Sequence, residues 1–167
     1  MIEIKELNDQ YLEQAKRLVF KVFPVMDVSE RISFWVYKNQ NKAAGKLLMK
    51  LFGYATFLKY WVAIDEENVV CGITGLYAHK KGEETALWLS WFCVDPAYRG
   101  RGVGKQLIEF SIEEAKRCNK KYLCLYTSDD PNEANAQQLY EQYGFKITDQ
   151  KKKDGYTIIY REKELGR

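Results

Sequence analysis

The stretch "ALWLSWFCVDPAYRGRGVGKQL", residues 86–107, constrains this chain more than any other. It opens with a run apolar on both faces, as a strand in the middle of a sheet requires. Residues 98–107 then hold three glycines and three basic residues. Beyond them Val103, Leu107, Ile108, Ser111, Ile112 and Ala115 recur at helical spacing. Each glycine loses more backbone freedom on folding than any other residue, so three this close together mark a turn shaped for a purpose. A strand, a glycine-rich turn and a helix make an anion site. The first N–H groups of the helix lack internal partners and carry the positive end of its dipole. Arg99, Arg101 and Lys105 add full charges.

The flanking patterns put this unit inside one α/β domain spanning 1–167. "MIEIKEL" alternates as a strand, and Leu12, Ala15, Leu18, Val19 and Val22 define an amphipathic helix closed by Pro24. Ser29 is placed to cap a second helical region with Ile32, Trp35 and Val36, running toward Gly53. Strands are expected from residue 60, in "YWVAI" and "VVCGITGLYA", followed by the hairpin loop "HKKGEET" and one central strand "ALWLSWFCV". After the glycine turn and its helix come the strand "YLCLYT", the loop "SDDPNE", and a short helix marked by Ala136, Leu139, Tyr140 and Tyr143. Gly144 ends that helix, and "FKITDQ" and "GYTIIYRE" pair around a solvated turn "KKKDG". The expected fold is a mixed central sheet of about seven strands flanked by about four helices, with hairpins beside βαβ crossovers.

Composition removes several function classes. Twenty-six basic residues nearly balance 23 acidic ones, giving a net charge of +3. That is too even for a nucleic-acid binder. A single histidine, His79, argues against a metal site. Cys71, Cys93, Cys118 and Cys124 form no C-x-x-C pair and read as small core hydrophobes in a reducing compartment. The acidic, alternating N-terminus is no signal peptide, and the patch "LFGYATFL" is too short to span a bilayer. A soluble cytoplasmic protein without membrane or nucleic-acid partners is expected.

Two phosphate-binding signatures fail at required positions. A G-x-G-x-x-G counted from Gly100 needs glycine where Lys105 stands, and counted from Gly102 it needs glycine at Leu107. A P-loop needs Ser or Thr after Gly104-Lys105, where Gln106 stands. What fits is R-x-x-G-x-G from Arg99 to Gly104, within "VDPAYRGRGVGKQLIEFSIEEAKR", followed downstream by "ANAQQLYEQYGF". In both segments the chain resembles the GNAT superfamily of N-acetyltransferases.

The resemblance implies acetyl-CoA as cosubstrate, with no metal, and direct transfer of its acetyl group to a primary amine, either a small molecule or a peptide. It implies that the backbone N–H groups of Arg99, Gly100, Arg101, Gly102, Val103, Gly104 and Lys105 hold the pyrophosphate. The main chain of Phe92, Cys93 and Val94 would pair with the pantetheine arm, with the Val94 N–H donating to the thioester carbonyl and Cys93 needing no nucleophilic role. Tyr140 is the implied general acid, although packing on its apolar helix face would also justify an aromatic there. The family often carries an asparagine seven residues before that tyrosine. Position 133 is Glu, so Asn135 is the candidate cofactor contact, with helix capping as the other reading of Asn132 or Asn135. Glu83, Glu84 and His79 are the acid–base residues nearest the central strand, and none stands out as the base. Asp27, Glu30, Trp35, Tyr37 and Tyr54 could shape a pocket for a cationic amine. A non-catalytic CoA-binding domain and transfer of a longer acyl chain stay open, as does a homodimer.

Overall fold

The computed structural model describes residues 1–166, the side chains of 56–58 excepted. The chain runs β1 (Glu3–Glu6), α1 (Asp9–Val22), α2 (Val28–Arg31), α3 (Ser33–Asn39), α4 (Ala43–Leu51), β2 (Tyr54–Ile64), β3 (Val70–His79), β4 (Ala86–Leu89) and β5 (Cys93–Val94). It continues through α5 (Val103–Arg117), β6 (Tyr122–Ser128), α6 (Ala134–Gln142), β7 (Lys146–Lys153) and β8 (Tyr156–Glu164). The strands form one mixed sheet in the order β1-β2-β3-β4-β6-β8-β7, with β5 also on β3. Only the β4–β6 pairing is parallel. The α/β mixed sheet expected from the sequence is the fold observed.

Each face of the sheet buries its own helices. Leu12, Ala15, Leu18 and Val19 of α1 and Phe34 and Val36 of α3 pack with Tyr60, Val62, Ile73 and Tyr77. On the other face Ile108, Ile112 and Ala115 of α5 and Tyr140 of α6 pack with Leu76, Leu87, Leu123 and Leu125. The six positions that predicted α5 are its six buried residues.

Local chemistry sets the element ends. The Asn8 side chain accepts from the Gln10 N–H and caps α1. Asp27, not Ser29, caps α2: its carboxylate accepts from the Glu30 N–H, while the Glu30 side chain accepts from the Asp27 N–H. This reciprocal capping box uses the acidic pair at i and i+3. The helical region toward Gly53 is three helices rather than one, and β2 starts at Tyr54, earlier than residue 60. Gly144, with φ of 77°, ends α6. Its N–H bonds the Glu141 carbonyl, and the Phe145 N–H bonds the Tyr140 carbonyl. This is a Schellman cap, and Phe145 also packs on the Tyr140 ring. Lys151, Lys152 and Lys153 lie in exposed β7 rather than in a turn, which is confined to Asp154 and Gly155.

The main departure from expectation lies in "ALWLSWFCV", which is two strands. β4 meets β3 at Leu76↔Leu89 and Tyr77↔Trp88, whereas β5 meets it at Ile73↔Cys93 and Gly72↔Val94. Thr74 and Gly75 thus face Ser90, Trp91 and Phe92: one residue too many, a β-bulge. The bulge is pinned by Ser90 Oγ against the Tyr60 hydroxyl at 3.1 Å and by the Trp91 indole N–H donating to Ser33 Oγ at 2.8 Å. β4 pairs with β6 only as far as Trp88↔Cys124. Beyond that point β5 stays on β3 while β6 follows β8 to Ser128↔Ile158, so the sheet parts into a wedge.

Gly75 sits where the bulge begins, and a Cβ there would come within 2.3 Å of the buried Tyr60 ring and 3.0 Å of the Lys59 carbonyl oxygen. Gly75→Ala is therefore expected to cost about 1–3 kcal/mol, read as a lower thermal midpoint in calorimetry.

Candidate functional site

The floor of the site is the turn after β5. Its Asp95 N–H donates to the Cys71 carbonyl at 2.9 Å, and its carboxylate accepts from the Ala97 N–H and from Lys21 Nζ. The Tyr98 hydroxyl donates to Asp65 at 2.5 Å, and the Arg101 guanidinium lies 5.2 Å from the Tyr98 ring centre. Arg99 Nε reaches the Val94 carbonyl at 3.4 Å. Gly100 and Gly102 take φ of 74° and 80°, the left-handed region that glycine enters without strain. Gly102 is the N-cap of α5, and the buried Val103 side chain anchors that helix among Ala63, Cys71 and Leu107.

This geometry leaves a row of donors. Among the described residues, no carbonyl or side-chain oxygen accepts from the backbone N–H groups of Gly100 through Lys105. A Cβ built on Gly100 or Gly102 meets nothing within 4 Å, so the concave side is open. The donor row, the α5 dipole and three exposed cations together match a pyrophosphate.

Tyr140 lies across the wedge. Its ring centre is 5.7 Å from that of bulge residue Phe92 and 5.8 Å from Phe145. The residue is 5% exposed, and its hydroxyl bonds to no described residue. No sealed side-chain oxygen among the described residues lacks a partner, so this hydroxyl keeps some contact with solvent. Burial pushes the phenol above its ordinary range, aided by the Glu133 charge. Arg161, 4% exposed, holds the helix that carries it. Its guanidinium donates to Gln137 at 3.0 Å, to the Phe145 carbonyl at 3.3 Å and to Glu141 at 2.8 Å. Cys93 is buried, and burial raises its thiol to about 12, which leaves no thiolate for nucleophilic work.

Other candidates separate. Asn135 is exposed on the first turn of α6, and neither it nor Asn132 caps that helix; Glu133 is the N-cap residue, without a side-chain cap bond. The Glu133 carboxylate instead accepts from Thr127, from the Ser128 N–H at 3.0 Å and from Ser128 Oγ at 2.8 Å, tying α6 to the end of β6. Glu83 and Glu84 are exposed in the β3–β4 loop, and His79 Nδ1 is engaged with the Gly53 carbonyl at 3.2 Å. Asp27, Glu30 and Tyr54 do come together. Trp35 is 47% exposed, and the Tyr37 hydroxyl is spent on the Leu7 carbonyl at 2.7 Å. Sequence reasoning missed Tyr77, Trp88, Tyr126 and Tyr160, which share one face of the sheet. Alternation along β3 and β6 carried that signal, but only the cross-strand register aligns it.

A mixed sheet thus parts beside a glycine-rich helix start, with the buried Tyr140 phenol packed on the bulge. Residues 56–147 match the family model described as an acetyltransferase (GNAT) domain, and the chain belongs to that family. A spermine/spermidine N(1)-acetyltransferase of Bacillus subtilis is 28% identical over 79 residues, 46% of this chain and 49% of that protein. The chain thus spans about half the length of the curated relatives it matches. A GNAT-family acetyltransferase of Staphylococcus aureus superposes with a TM-score of 0.74 at 20% identity, covering 99% of this chain and 100% of that one. A Salmonella typhimurium protein solved with its cofactor acetyl-CoA gives 0.70 at 20% identity, covering 100% and 95%. These two likenesses are of fold. Among the described residues, no helix is long and apolar enough to cross a membrane.

The turn that carries the donor row is itself sensitive to acid. Burial alone would raise the Asp95 carboxyl, but the Ala97 N–H, Lys21 and Arg99 outweigh it and hold it below its ordinary value. A depressed native pKa gives stability that is present above the unfolded value of about 3.9 and lost as pH falls through the native one. The thermal midpoint of the wild type should exceed that of Asp95→Asn at neutral pH, and the gap should close below about pH 4.

Proposed function

We propose that this chain is a single-domain, acetyl-CoA-dependent N-acetyltransferase that passes the acetyl group directly to a primary amine. The observation that carries this reading is a row of backbone donors at Gly100–Lys105 without internal acceptors, together with the unpartnered Tyr140 hydroxyl on the ring that packs on Phe92. The residues fit the cosubstrate, whose pyrophosphate suits the glycine turn. When bound, it supplies an activated acetyl thioester.

The chain's own groups have four tasks. Gly100, Gly102 and Gly104, with Arg99, Arg101 and Lys105, hold the pyrophosphate. The main chain of Phe92, Cys93 and Val94 faces the wedge where β6 has left it, and there it offers strand-like pairing to an extended arm. The Val94 N–H is the donor for the carbonyl oxygen as charge develops. The Tyr140 phenol, kept protonated by burial, donates to the departing sulfur. In balance, the ammonium gives up two protons, the nitrogen–acyl bond forms, the carbon–sulfur bond breaks, and the thiol takes one proton while the other goes to solvent. The N-acetyltransferase activity named for the Bacillus relative supports an amine acceptor.

Two substitutions test this. Tyr140→Phe should lower kcat about 100-fold or more in an assay of free thiol, with acetyl-CoA affinity near that of the wild type. Unchanged kcat would remove the acid role. Gly102→Val should weaken acetyl-CoA binding at least about tenfold by titration calorimetry, because a β-branched residue resists the left-handed conformation and fills the cradle.

A further inference from the structure

α4 carries more apolar surface than the core takes from it. Its buried residues are Gly45 and Met49. A Cβ on Gly45 would stand 2.0 Å from the Asn39 carbonyl oxygen, so this side of the helix is closed against the end of α3. Leu47 and Leu51, four residues apart on the outward side, are 67% and 73% exposed. Lys42, Lys46 and Lys50 repeat at the same interval and are also exposed, so they form a stripe along the helix beside the leucines.

Neither feature stabilises the helix itself. The N–H groups at a helix start are the positive end of its dipole, so an oxygen-bearing cap and acidic residues are favoured there. α4 has Lys42 as its N-cap with no side-chain cap bond, and its first turn holds no acid. Two leucines standing outward add no burial. Local rules broken without an internal gain mark a surface shaped for something outside the chain. The charge around it has one sign. Between residues 31 and 64 the sequence holds Arg31, Lys38, Lys42, Lys46, Lys50 and Lys59 and no Asp or Glu. Asp9 and Glu6 answer Lys38 and Lys59, whereas the three lysines of α4 pair with no acid among the described residues. Lys80 brings a fourth ammonium to the last turn, donating to the Lys50 carbonyl at 3.3 Å.

We propose that the outer face of α4 docks the protein on an anionic lipid bilayer, with Leu47 and Leu51 dipped into the interface and Lys42, Lys46 and Lys50 on the headgroup phosphates. The expectation of no membrane partner rested on the length needed to span a bilayer, which a helix lying flat on its surface does not require. A second copy of this chain would bring the same unpaired lysines against one another. An acidic protein segment would answer the lysines, but leucines standing out from a convex helix need matching pockets on a protein. A bilayer admits them at any spacing.

The test is co-sedimentation of the full chain with vesicles of phosphatidylcholine alone, or with about one third phosphatidylserine, at about 0.1 M salt. The wild type should bind the anionic vesicles at least about tenfold more tightly than the neutral ones. The triple variant Lys42→Gln, Lys46→Gln, Lys50→Gln should lose that preference. Leu47→Gln with Leu51→Gln should bind the anionic vesicles at least about fivefold more weakly. Gln keeps a helix propensity close to that of Lys and Leu, and all five positions are exposed, so the thermal midpoints should stay near that of the wild type. Equal binding to both vesicles, binding to neither, a preference that survives the lysine substitutions, or vesicle binding unchanged in the leucine variant would overturn the proposal. A glutamate-rich peptide, titrated in parallel, checks for an acidic protein partner. Tighter binding to that peptide than to the vesicles would give the face to such a partner and overturn the lipid reading.

Discussion

One extra residue between β4 and β5 governs the molecule. Thr74 and Gly75 oppose Ser90, Trp91 and Phe92, and a ladder cannot absorb that mismatch without bending. Because β5 rejoins β3, β6 loses its partner beyond Cys124 and the sheet opens. Backbone polar groups stripped of a ladder partner are costly when buried, so the opening is stable only where water or a ligand can reach it. Ser90 and Trp91 are bonded to Tyr60 and Ser33, and Phe92 packs on Tyr140, so the bulge is held from both faces. The start of α5 follows β5 along the chain, and Tyr140 packs on the bulge residue Phe92.

Like charges are grouped in the fold. Arg99, Arg101 and Lys105 stand around the start of α5, whereas the charges of Asp27 and Glu133 act on Glu30. The net charge of +3 hides this grouping completely. Arg161 belongs to neither set. It is a buried strut that fixes α6 through three acceptors flanking Tyr140.

Helical periodicity was the most legible signal, because one buried face on α1 or α5 repeats over several turns. The glycine turn was equally plain, since positive φ at Gly100 and Gly102 restricts the residues that fit. Other features were hidden for definite reasons. "ALWLSWFCV" is apolar throughout, so nothing in its pattern distinguishes a continuous strand from an interrupted one. Ser29 and Asp27 are both good caps, and only the reciprocal bond from Glu30 selects Asp27. The lysines of β7 resembled a turn because that strand is exposed on both faces, which removes the alternation a half-buried strand shows.

The residues alone determined the glycine-rich turn, because it is local: strand, glycines and helix start are contiguous in the chain. Its logic is backbone conformation and dipole, and both are written in neighbouring residues. The aromatics Tyr54, Tyr77, Trp88, Tyr126 and Tyr160, by contrast, draw on five strands whose alignment depends on register. A slip of one residue would turn any of these side chains to the opposite face. Tertiary packing, by setting that register, decided that these side chains share one face.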